Sequence, residues 1–347
     1  MNETEEILIL RIQKFFPFVT AYLTIASLVY HFLIAIIMCP LYAVIIIGIF
    51  KRRHTSEFNS VFFKTAIISG VIDLLFFLDH FITGTCALYP PLASLIAPTT
   101  PTIWLGTVFF FGYWCAYTLD LLALYISVNR FFVILSPIRG NIIFDRTFYY
   151  VMVFLACLAA APNWFHIVSP AFFTIQCNNY TNNIPIATFT NIPIEGYEKT
   201  ATNNSVMIFV TLSSTTLVMN LMTLGAIIYR IRGQHIIKTE IKLAIYSIFL
   251  FVSQQSYTCL FYTGYFGGNL PDMSISYFAK VIKPWAYVIL CLTPAISLMC
   301  LSNNVRSIVI EFVKEGKIES INKIGTTTQI KTIKQIATAS PRRLNVV

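Results

Sequence analysis

The chain has 347 residues, of which 56% are apolar and only 11% charged. That is too little polar surface to cover a soluble globule of this size, so a water-soluble domain is excluded. The net charge of +9 would suit a nucleic-acid binder. It is dispersed over short loops flanking apolar segments, however, where it meets anionic lipid headgroups, and nucleic acid is set aside as a partner.

Residues 1–6 carry three glutamates and no basic residue, unlike the charged start of a cleaved signal peptide, so the first span is expected to act as its own insertion signal. Residues 7–23 are apolar with Arg11 and Lys14 among them. Residues 1–23 are therefore read as an extracellular N-terminal segment whose apolar part would suit an outer-leaflet interfacial helix. Seven apolar runs follow, at 24–50, 61–81, 103–135, 148–168, 206–228, 241–266 and 277–301, each long enough to cross a bilayer core of ~20 helical residues. The expected fold is an all-α, seven-transmembrane helix bundle over residues 24–301, similar in plan to G-protein-coupled receptors. After it, Val305, Ile308, Val309, Phe312 and Val313 recur at helical spacing, which reads as an amphipathic juxtamembrane helix at 302–316 lying on the inner leaflet. Residues 317–347 alternate Lys, Ser and Thr and read as a disordered cytoplasmic tail.

Charge sets the orientation. The gaps at Lys51–Lys64, Arg130–Arg146 and Arg230–Lys242, with the tail from Arg306, hold 4, 3, 4 and 8 of the 24 basic residues. Positive charge stays cytoplasmic, so the N-terminus lies outside. Glycosylation sequons at Asn2, Asn179 and Asn203 all fall in segments this rule has already placed outside. Of 8 cysteines, only Cys86 and Cys177 sit on the outer, oxidising side, so either a disulfide ties the second span to the long outer loop at 169–205 or both thiols are free. The absence of CxxC, HExxH, GxSxG or a phosphate-cradling glycine loop, with five scattered histidines, points to no enzyme, no metal and no cofactor.

Charged residues inside the membrane demand a reason. Asp73 lies ~18 Å of helix rise outward from Val61, and Asp120 ~21 Å outward from Ile134. Two carboxyls at similar depth on consecutive spans could form a core polar network with Asn220, share a cation, or stand as separate hydrogen-bonded structural groups. Asp79 and His80 lie near the outer end of the second span, and Lys280 and Lys283 open the seventh on one face. An Asp79–Lys283 ion pair would satisfy two charges and place polar chemistry in an outward-facing ligand pocket; the alternative is that the lysines snorkel to the interface. Trp114, Tyr257 and Trp285, with Trp104, Tyr113, Tyr262 and Tyr265, crowd the outer halves of the third, sixth and seventh spans. They are candidates either to line that pocket or to form the ordinary interfacial belt.

The third span closes on Ser127-Val128-Asn129-Arg130-Phe131, with Pro137 seven residues beyond Arg130, a lone cation at the cytoplasmic mouth before a helix-ending proline. At this string the chain resembles nematode serpentine chemoreceptors of the gamma-type superfamily, seven-helix G-protein-coupled receptors whose third span typically ends in Asn-Arg followed by a proline. Glu240-Ile241-Lys242-Leu243-Ala244-Ile245-Tyr246 is similar to the opening of that family's sixth span. Pro284-Trp285, then Pro294, then Ser302 to Arg306, resembles its seventh. Rhodopsin-like receptors differ: no acid precedes Arg130 here, and the sixth span has no proline. Arg130 could instead pair with Glu240 and hold the inner mouth closed, or serve as a plain topology anchor.

The resemblance implies a chemosensory receptor in the plasma membrane of a sensory cell, binding a small environmental molecule from outside and signalling to a heterotrimeric G protein. Asn129, Arg130 and Glu240 would form the switch, and the basic second and third inner loops, with Arg139 and Arg230, the partner surface. The rival is a transporter or channel, which would need charges converging on a continuous path and broken helices at mid-depth. In this light only the fourth and seventh spans, with Pro162 and Pro294, read as interrupted.

Overall fold

The computed structural model describes the backbone at residues 3–55, 58–86, 92, 94–95, 100–176, 186–192, 198–233, 238–267, 274–312 and 314, with side chains over most of these. Its long helices are α1 (Glu3–Lys51), α2 (Val61–His80), α3 (Ile103–Leu135), α4 (Pro137–Ala160), α5 (Glu198–Gly233), α6 (Lys238–Gly267) and α7 (Ser274–Leu301), with a single helical turn at Phe165–Val168 between α4 and α5 and α8 at residues 303–312. All seven of the longer helices contain a stretch long and apolar enough to span a membrane, as the apolar runs require.

Several boundaries differ from those read in the sequence. Helical backbone runs unbroken from Glu3 into the first span, whose apolar stretch starts at Leu28, so no break separates residues 3–23 from it. Pro40 lies inside α1. The second span is wound past its end by a π-helical turn at Phe81–Thr85. α3 ends at Leu135, just before Pro137, and Pro137 is also the first residue of α4, where its fixed φ suits helix initiation and its missing N–H has no partner to lose. The second inner loop therefore shrinks to a tight turn at Ser136, and Arg139 and Arg146 stand on the opening turns of α4. That helix ends at Ala160, so Pro162 lies beyond it and interrupts nothing.

The outer connection is not wholly irregular. Ala171–Gln176 pairs antiparallel with Ile186–Asn191, and Thr102, just before α3, exchanges two backbone hydrogen bonds with Ala171 at 2.9 and 3.0 Å. This hairpin is the one departure from all-α among the described residues. Alternating aromatic, β-branched and polar residues in AFFTIQ and IATFTN suit a pleated ribbon. Of its expected features, Cys177 and Asn179 lie outside the described residues, as does Asn2. Asn203 falls within α5, its side chain likewise outside the description. Cys86 is buried and has a free thiol.

Of the seven spans α3 is the most buried within the bundle and α4 the least. The outer core layer packs Phe76, Cys115, Tyr117, Phe209, Tyr257 and Tyr287; the inner packs Tyr42, Ile45, Phe58, Phe62, Ile126, Tyr246, Leu298 and Val305. At Gly106 on α3 a side chain would collide with the backbone carbonyls of His166 and Ser169, so glycine there lets the chain leaving α4 cross directly over α3. α8 starts where Ser302 accepts the Val305 N–H at 3.3 Å, an N-cap that satisfies one of the helix's unpaired donors. It buries Val305 and Ile308, as their spacing suggests, but leaves Phe312, expected on the same apolar face, exposed along with Ile310.

Candidate functional site

Four helices converge in the outer half of the bundle on a cavity of about 70 Å³, room for roughly five waters or one small organic molecule. α2 contributes Phe76, Asp79 and His80 and the π-helical turn after it Thr83; α3 contributes Val108, Phe109, Gly112, Tyr113 and Ala116; α6 contributes Tyr257; α7 contributes Lys283 and Tyr287. Asp79 lies ~27 Å of helix rise outward from Val61, close to the outer end of its span.

The charges are kept in the cavity by specific geometry. His80 Nδ1 lies 3.3 Å from Asp79 Oδ2 and 3.3 Å from the Phe76 carbonyl, while its ring centroid is 3.5 Å from that of Tyr287. Asp79 can approach α3 because position 112 is glycine: a Cβ there would stand 2.5 Å from Asp79 Oδ2. Across the cavity, the Lys283 ammonium sits 5.4 Å from the Phe261 ring centroid and 5.6 Å from that of Tyr287, within cation–π range. The Tyr257 and Tyr287 hydroxyls are 3.4 Å apart, joining α6 to α7 at the cavity wall. Acid, imidazole, ammonium and phenol groups therefore face one aromatic-walled space, suited to a small molecule with polar ends.

Not every expected pocket residue is here. Asp79, Lys283 and Tyr257 line the cavity, as does Tyr113. Trp114 instead donates its indole N–H to the Ala156 carbonyl of α4 at 2.9 Å, and Trp285 stacks on Tyr30 of α1 with centroids 4.4 Å apart. Both point out of the cavity: Trp114 is one position from the lining Tyr113 and Trp285 two from the lining Lys283 and Tyr287, turns of about 100° and about 200° around the helix. Lys280 has its side chain outside the described residues. Tyr287 carried a usable signal: four residues after Lys283, it shares that lysine's helix face. Gly112 carried none.

The three mid-depth polar residues do not touch one another directly. Asp73 accepts a 2.6 Å hydrogen bond from the Tyr42 hydroxyl of α1 and borders a cavity of about 10 Å³ shared with Ser69, Ser253, Gln254 and Pro294, a volume for one water. Asn220 of α5 accepts from Ser247 of α6 at 3.2 Å. Asp120 is buried, with one carboxyl oxygen lacking a hydrogen-bond partner among the described residues. Gln254 of α6 donates to the Leu119 carbonyl of α3 at 3.1 Å. The direct contacts of Asp73, Asn220 and Gln254 among the described residues are thus separate helix-to-helix ties.

At the inner end Asn129 and Arg130 are both buried, Arg130 being only 4% exposed. A topology anchor would reach into water; this guanidinium instead lies over the Phe62 ring of α2, 4.6 Å from its centroid. Phe62 in turn packs edge-on against Tyr246 of α6, centroids 5.2 Å apart. No sequence signal pointed to Phe62. Arg139 is exposed on α4. Arg230 and Glu240 lie at the facing ends of α5 and α6, their side chains outside the described residues.

Residues 14–309 fit the sequence profile of the Srg family chemoreceptors. The chain belongs to that family. Among curated proteins no match is found. As an Srg chemoreceptor it is a multi-pass membrane protein whose partners include a small-molecule ligand and the lipid bilayer, in agreement with the gamma-type resemblance of the third-span and seventh-span strings.

Proposed function

We propose that this Srg chemoreceptor binds a small environmental molecule in the Asp79–Lys283 cavity and signals through Arg130 to a heterotrimeric G protein, at the plasma membrane of a sensory cell. The observation that carries the proposal is that one rigid element, α6, borders the outer cavity with Tyr257 and backs the inner arginine's aromatic seat with Tyr246. The two tyrosines are ~17 Å apart along the helix. Because α6 contains no proline, nothing breaks its hydrogen-bond ladder and it moves as one rod.

A ligand that fills the cavity touches Tyr257 and Tyr287 and favours the α6 position that fits it best. Displacement at the inner end withdraws Tyr246 from Phe62, loosens the seat of Arg130 and opens the mouth between α3 and α6. The Asn220–Ser247 and Gln254–Leu119 contacts hold the resting position. The ligand shifts the balance only by its difference in affinity for the two positions. Exposed Arg139 at the start of α4 stands at the mouth's edge, where an acidic partner surface would meet it; Arg230 and Glu240 flank the same mouth in the sequence.

The test is a G-protein reporter assay in cells over a panel of volatile and water-soluble compounds. A responding compound should lose its effect in Gly112→Leu, which fills the cavity, at normal surface expression. Arg130→Ala should abolish the signal while ligand binding is kept. A ligand-evoked ion current that persists without any G protein would overturn the proposal in favour of a channel.

A further inference from the structure

A larger space lies at the opposite end of the molecule, between the inner half of α1 and α8. It measures about 460 Å³, several times the ligand cavity, and no part of the signalling scheme uses it. On α1 its wall is Pro40, Ala43, Val44 and Ile47, ending at Lys51. These follow helical i, i+3, i+4, i+7 and i+11 spacing, so the wall is one straight apolar face with a cation at its foot. From Pro40 to Lys51 the rise is ~16 Å, the thickness of one leaflet's hydrocarbon in a bilayer core of ~30 Å.

The far wall is Ile308, Glu311 and Phe312 of α8. α8 can stand there because position 48 is glycine: a side chain would collide with Ile308. The floor is thus fixed by close packing. The mouth is charged. Arg52 forms an ion pair with Glu311, and the Arg53 guanidinium lies over Phe50 at 4.0 Å. Lys51 is exposed and has no acidic partner among the described residues. Three cations against one acid leave the mouth positive.

We propose that this groove seats one anionic phospholipid of the inner leaflet, its acyl chain along Ala43, Val44 and Ile47 and its phosphate on Lys51. A length of one leaflet with an apolar wall fits an acyl chain, and the unneutralised cation at headgroup depth favours an acidic head over a zwitterionic one. The chain's own tail is an unsuitable occupant, since after Lys314 it is polar and predominantly basic, of the same sign as the mouth. A bound lipid here would brace α8 against α1 beside the inner opening. The site does not depend on which partner the receptor signals to.

The full-length receptor, reconstituted in nanodiscs of phosphatidylcholine doped with phosphatidylserine and released into detergent, is examined by native mass spectrometry. One phosphatidylserine should be retained in preference to phosphatidylcholine. Lys51→Ala should weaken that retention about fivefold, the equivalent of ~1 kcal/mol for one lysine at the headgroup surface. Ala43→Phe, which fills the groove, should abolish it. Lys64→Ala removes an inner-face lysine that sits on Asp145 and should change nothing. Equal retention of the two lipids by the wild type, or phosphatidylserine retention unmoved in both Lys51→Ala and Ala43→Phe, would overturn the proposal. So would displacement of the phospholipid by a sterol that Lys51→Ala does not affect.

Discussion

Phe62→Leu is the sharpest perturbation of the inner mouth. Leucine keeps much of the apolar volume in a layer where Phe62 is only 1% exposed, so packing is disturbed modestly, but the π face beneath Arg130 is lost. A cation held 4.6 Å from a ring centroid with both partners buried contributes about 2 kcal/mol. If only the resting position keeps arginine and ring together, the substitution shifts the resting-to-signalling balance by that amount, roughly a thirtyfold change in the equilibrium constant. Ligand-free G-protein activity per receptor at the cell surface should rise by up to that factor, less where the signalling state is already well populated. Phe62→Tyr keeps the ring and should stay near wild type. Basal activity in Phe62→Leu equal to wild type at normal surface expression would refute the aromatic seat. If Glu240→Ala raised it under the same conditions, an acidic lock would hold the mouth instead.

Other substitutions test the outer cavity and the frame around it. Gly112→Ala puts a methyl 2.5 Å from Asp79 Oδ2 and must swing the carboxylate away; an overpacking penalty of ~1–3 kcal/mol should raise the half-maximal concentration of an active compound roughly tenfold, read by the reporter assay. Gly106→Ala meets backbone carbonyls that cannot rotate aside, so a loss of stability of about the same ~1–3 kcal/mol should appear as a lower melting temperature of purified receptor and weaker surface expression. Tyr42→Phe removes the donor that reaches Asp73 at 2.6 Å and leaves a buried carboxyl short of a partner, at a cost of ~1–3 kcal/mol. Adding Asp73→Asn should recover part of that loss in the same melting assay, since a neutral amide is less demanding when buried.

Much of the molecule was legible because membrane insertion acts on composition. A run of ~20 apolar residues has to become a helix, since no other open structure satisfies its backbone in lipid. Basic gaps read as inner loops for an equally local reason. The same logic located Asp79 and Lys283, which stand out as charges in apolar runs, and Arg130, which closes one. It failed where propensity and context compete. Pro137 reads as a helix terminator, and α3 does end just before it; what the reading missed is that the same proline starts α4, because a proline is welcome at a first turn and unwelcome later. The hairpin after Pro170 was hidden in a segment whose Asn and Thr content resembles loop.

The sequence by itself determined that this chain crosses the membrane seven times, which residues are charged within those crossings, and the family strings at the ends of the third, sixth and seventh spans. These follow from hydrophobicity and order along the chain. Only the tertiary structure decided which of the candidate side chains meet. It turned Trp114 to α4 and Trp285 to α1, drew Asp79 against Gly112, seated Arg130 on Phe62, and docked α8 against Gly48 to leave the groove beside Lys51. The rotation of each helix about its own axis sets such contacts, and that rotation is fixed by close packing among several helices at once.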